Sequence, residues 1–123
     1  MKSPDYPFKH RLIVLADTAR RLAAELGDGH PRVLACREDN ARELELIVDE
    51  DGWPALDEAG PDGTRAALDI ALAATMRPAF QRRCLTMMMA AAHRGDLPAE
   101  QVAELAAAVG WSTAAPPPAP PRP

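Results

Sequence analysis

Aromatic side chains are scarce in this chain: two Trp, two Phe and one Tyr among 123 residues. A core without many rings must rest on stripes of Leu, Ile, Val and Met, because the abundant alanines favour helix but bury little area each. The length allows one such core and not two. Cysteine is equally thin. Cys36 and Cys84 lack C-x-x-C spacing and follow no secretory signal, which excludes a disulfide scaffold and points to free thiols in a reducing cytoplasm. Positive charge is not in excess either. A net charge of -4 argues against binding nucleic acid through the overall field, since phosphate neutralisation needs clustered Lys and Arg. The pair Arg82 and Arg83 reads as a solvated helix face. Long apolar runs are missing: LIVLA stops at Asp17, so neither a signal core nor a membrane span is expected.

What is present is helical periodicity. Leu12, Leu15, Ala16, Ala19, Leu22, Ala23 and Leu26 recur at spacings of three and four, predicting a first helix over about 10–26 with Gly27 as its C-cap. A second helix is expected over about 32–49, with Leu34, Ala41, Leu44, Ile47 and Val48 inward; Asp39 or Asn40 would cap a later start. Gly52 then stops the chain and Pro54 keeps Trp53 out of helical geometry, predicting a stiff loop with the indole at its apex. The third helix, about 63–76, carries an apolar band wide enough for a central position. Such a band is also compatible with a homodimer. Pro78 opens a fourth helix with Phe80, Cys84, Met87, Met88 and Ala91 inward, ending near His93 and Gly95. Asp96 is the expected N-cap of a last helix that buries Val102, Leu105, Ala106 and Val109 and ends at Gly110. The fold class is therefore all-α: a helical domain over 1–111, in about five helices with short connections, and a flexible proline-rich tail over 112–123.

Chemistry is harder to find. Cys84, Met88 and His93 are donors suited to Cu(I), but Cys84 and Met88 lie one turn apart on the core face and His93 is nine residues from Cys84, so core packing explains them better. The three histidines fall at helix ends, where imidazoles meet last-turn carbonyls. The carboxylates of residues 49–62 lack the ligand spacing of a calcium loop. No nucleophile elbow, zinc pair or phosphate-cradling loop occurs, and no cofactor or metal is expected. The tail does carry a pattern. Pro117, Pro120 and Arg122 fit P-x-x-P-x-R, by which a polyproline II segment docks an aromatic groove and adds a salt bridge.

Residues 37–85, with Asn40, Gly52-Trp53-Pro54, Gly60, Ala67, Phe80-Gln81 and Leu85 as the matching positions, resemble a bacterial domain family of unknown function numbered six-six-two-four. Where such sequences carry Gln-His-Ala this chain has Leu72-Ala73-Ala74, and the resemblance therefore implies that any activity of the family is lost here. It also implies that Trp53 stands beside Asn40 and Gln81. Trp53 then acts as a wedge against the ends of the second and fourth helices, or as the wall of a small recessed site with the two amides.

The expected function is that of a non-catalytic helical accessory protein, binding a protein partner through a groove near Trp53 (with Asn40, Phe80 and Gln81) and through the proline-rich tail. A small-molecule binder or weak enzyme of bacterial specialised metabolism is the alternative. A leader whose tail is modified after Gly110 is a third.

Overall fold

The computed structural model describes residues 7–110, which form five α-helices and no strand. They are α1 (Phe8–Leu26), α2 (Pro31–Asp51), α3 (Leu56–Ala73), α4 (Pro78–His93) and α5 (Ala99–Ala108). None of them is long and apolar enough to cross a membrane.

Two punctuation marks set the first hairpin. Gly27 adopts φ 93, which only glycine takes without strain, and its N–H caps α1 through the Ala23 carbonyl. His30 then caps α2, its Nδ1 accepting from the Arg32 N–H at 3.1 Å, with Pro31 supplying a helix-ready φ at the first position. His30 thus serves a helix start rather than last-turn carbonyls, and Asn40, one of two expected caps, lies mid-helix. A second correction concerns register. Leu34 is 46% exposed, and its neighbour Val33 is the buried residue.

α3 is the central element, packing on all four other helices and most extensively on α1. Lys9 lies against Gly63 while Arg20 reaches Asp69, so α1 and α3 run in the same direction. Gly63 permits two close contacts: a Cβ there would meet the Ala59 Cβ in the first turn of α3 itself at 2.8 Å and the Lys9 Cγ of α1 at 3.3 Å. α3 begins earlier than its apolar band predicts. Residues from Leu56 make a first helical turn, Gly60 breaks it at φ 71 and ψ 173, and Pro61 restarts the helix. That turn is anchored from outside, because the Leu56 N–H donates to the Asp96 carbonyl at 3.0 Å. α3 also ends earlier than expected, at Ala73.

α4 and α5 pack on each other and close the far side of the core. Cys84, Leu85, Met88, Leu97, Leu105 and Ala106 bury there. Asp96 does not cap α5. Pro98 holds the N-cap position, and the Asp96 carboxylate instead meets Arg94. The outer seams carry ion pairs: Arg11 with Glu43 between α1 and α2, Arg83 with Asp49 between α4 and α2, and a bidentate Arg65–Glu104 contact at 2.8 Å between α3 and α5.

Candidate functional site

The most site-like concavity lies where α1, α2 and α3 converge. It is a recess of about 470 Å³ with an apolar floor from Ala16, Ala23, Ile70 and Ala73. Alanines of α1 line it opposite Ile70 and Ala73 of α3, with Arg37 and Asn40 of α2 at its side, and methyl groups are too short to fill the space between them. One polar side chain is sunk in its wall. Asn40 is 5% exposed, and its Nδ2 donates to the Leu15 carbonyl at 2.9 Å. Its Oδ1 accepts no hydrogen bond from any described residue.

Four charged groups ring the mouth: Arg20, Asp69, Arg37 and Asp28. Arg20 is doubly neutralised, by Asp17 at 3.3 Å and Asp69 at 3.7 Å. Hydrogen bonds from Arg21 and then Arg20 hold the Asp17 carboxyl below its ordinary range, so that anion persists at neutral pH. Arg37 has a weaker match. Its Nη2 meets one oxygen of Asp28 at 2.9 Å, and Asp28 is 83% exposed while Arg37 is only 23% exposed.

Trp53 is not at a loop apex. It is 5% exposed and belongs to the core, and the segment carrying it is pinned by Thr64, whose Oγ1 donates to the Pro54 carbonyl at 2.6 Å. The indole Nε1 is buried without a partner among the described residues. The two amides that the resemblance set beside Trp53 are committed elsewhere. α2 is unbroken from Pro31 to Asp51, which places Asn40 about 16 Å of helix rise before the end that leads to Trp53. Gln81 donates through Nε2 to the Ala71 carbonyl at 3.0 Å and the Leu72 carbonyl at 3.3 Å, tying the start of α4 to the end of α3. Phe80 is buried, with the Arg77 guanidinium 5.2 Å from its ring centre. Pro117, Pro120 and Arg122 lie outside the described residues.

The soft donors separate as their spacing suggests. Cys84 and Met88 are fully buried, while His93 is exposed. Burial pushes the Cys84 thiol up to about 12, far from thiolate character at neutral pH. Both cysteines are free. No group of three or more His, Cys, Asp or Glu among the described residues is arranged to hold a metal ion.

Of the site residues expected from sequence, only Asn40 lines the α1–α2–α3 recess. Arg20, Arg37, Asp28 and Asp69 escaped notice as ordinary surface charges. One signal for them was available: Ala16, Ala19 and Ala23 form a small-residue line along α1, and Asn40 interrupts the apolar face of α2. No family model, curated protein or solved structure matches the chain.

Proposed function

We propose that this chain is a non-catalytic helical binding protein whose α1–α2–α3 recess holds a small, mainly apolar molecule. One observation carries the reading: an apolar recess of about 470 Å³ contains a nine-tenths-buried amide with an unused acceptor. Small-molecule sites typically combine this size with apolar walls and a few placed polar groups. That oxygen is not sealed from solvent, so a bound donor would take the place of water on it. The nearby ionisable groups are paired as structural ions, and the most buried thiol is protonated, which supports capture rather than chemistry. Two free thiols fit a cytoplasmic setting.

The test is a thermal-shift screen of small amphipathic compounds, with Ala19→Phe as the blocked control. Ala19 lines the recess without being fully buried, so a larger ring there fills the space at little cost to the core. Compounds that raise the melting temperature of the parent chain, and fail with Ala19→Phe, are the expected result. No stabilising compound, or stabilisation indifferent to Ala19→Phe, would overturn the reading.

A second reading rests on the P-x-x-P-x-R pattern of Pro117, Pro120 and Arg122. There the folded body presents a tail that recruits a protein with an aromatic groove. Capture of such a protein by the whole chain, and not by a chain ending at Gly110, supports it. Equal capture by both removes it.

A further inference from the structure

We infer that the molecule held in the recess is an aliphatic hydroxy carboxylate, bound with its carboxylate on Arg37, its hydroxyl on Asn40 and its chain on the alanine floor. The inference rests on the recess reading above and adds the chemical class.

Arg37 supplies the anion site. Its Nη2 is satisfied by Asp28, but Nε and Nη1 have no acceptor among the described residues, so most of a planar five-donor fork remains open. Such a fork matches a carboxylate edge-on through two parallel hydrogen bonds, a geometry that the single contact with Asp28 does not use.

Asp28 is built to leave. It is 83% exposed, and it lies between Gly27 and Gly29, around which a Cβ would meet nothing within 4 Å. A ligand carboxylate replaces it on Arg37 while Asp28 swings into water at almost no desolvation cost. The exchange also fits the charges of the mouth: Arg20 keeps Asp17 and Asp69, while Arg37 alone loses its partner and is suited to one carboxylate.

Asn40 fixes the second group. It follows Arg37 by three residues on α2, so the two side chains share a face one turn apart, with Cβ atoms about 5–6 Å from each other. Its free Oδ1 accepts but does not donate, which excludes a bare alkyl chain or an ether oxygen as the ideal neighbour and calls for an O–H. Beyond it the floor offers only Ala16, Ala23, Ala73 and Ile70, which favour methylene groups.

The test is isothermal calorimetry of the full chain with β-hydroxydecanoate, decanoate and decanol, below their micelle concentrations, together with Asp28→Ala and Ala19→Phe. Decanoate is expected to bind about tenfold more tightly than decanol, because hydrogen bonds to a charged group are the stronger kind. The hydroxyl should add about a further fivefold. Asp28→Ala, which removes a weak exposed competitor, should tighten both acids two- to fivefold and leave decanol unchanged. Ala19→Phe should abolish all three. Acids no tighter than decanol, or unmoved by Asp28→Ala, would overturn the carboxylate assignment; if Ala19→Phe still abolished binding, the recess reading would stand. A hydroxy acid no tighter than decanoate would overturn the role given to Asn40. If none of the three binds, the inference fails, and the thermal-shift screen alone then decides the recess reading.

Discussion

Replacing Thr64 by valine removes one hydroxyl and keeps the shape of the side chain, so it isolates the hydrogen bond that pins the Trp53 segment. Thr64 is fully buried on α3, and its Oγ1 donates at 2.6 Å to the carbonyl of Pro54, itself buried. No other described group donates to that carbonyl. Valine therefore leaves an acceptor desolvated and unpaired, at a cost of about 1–3 kcal/mol. Serine makes the reciprocal change: the donor stays and one methyl group is lost, at about 1 kcal/mol. Thr64→Val is thus expected to be the more damaging, by about 1 kcal/mol, although it is the better volume match. Urea unfolding followed by far-UV circular dichroism measures this, as a lower midpoint at unchanged slope. For a domain of this size a 2 kcal/mol loss corresponds to a fall of about 10 °C in Tm. Amide exchange adds a local readout, since the Leu56 N–H, bonded to the Asp96 carbonyl, should lose protection along with the segment. If Thr64→Val proved as stable as the parent, or milder than Thr64→Ser, the pinning role of the hydroxyl would be refuted.

Other perturbations follow from the same contacts. Gly63→Ala puts a Cβ 2.8 Å from that of Ala59 and 3.3 Å from the Lys9 side chain, and should cost about 1–3 kcal/mol in urea unfolding by displacing the first turn of α3 and crowding α1. Gln81→Glu sets a carboxylate against the Ala71 and Leu72 carbonyls. Its native pKa is then raised, so the variant is closest to the parent below the ordinary Glu value and loses stability as pH rises through that raised pKa; a midpoint gap independent of pH would count against it. Burial raises the Cys84 thiol from 9.0 to about 12, so the native state keeps a proton that the unfolded chain releases. Stability should therefore fall between those two values by up to about 1.4 kcal/mol per pH unit, a loss that Cys84→Ala removes; identical pH profiles for the two chains would refute it.

The features legible in the sequence are those set by nearest neighbours along a helix. The spacing of Leu12, Ala16 and their companions, closed by Gly27, gives α1 to within two residues because period and cap agree. Local signals failed where two answers were locally equal. Val33 and Leu34 are adjacent and both apolar, and only the line taken by α1 decides which one is covered. The Leu56 turn reads as loop because Gly60 and Pro61 interrupt it, and what holds it is a hydrogen bond to Asp96, forty residues away in sequence. Trp53 shows how two correct rules conflict. Flanking Gly52 and Pro54 predict a turn, and turns usually face water. Yet in a chain with five aromatics a large ring is scarce filling for a core otherwise made of small residues, and burial won. The recess is the hardest case, since it consists of volume that no side chain supplies. Its place depends on how far three helix axes diverge, which no single periodicity encodes. Even so, part of it was present in the sequence as an inconsistency: a polar Asn40 on the buried face of α2, opposite a line of alanines too short to reach it. A buried polar residue facing small neighbours leaves room beside an open acceptor, and the proposed site rests on that combination rather than on the wide apolar stripes around it.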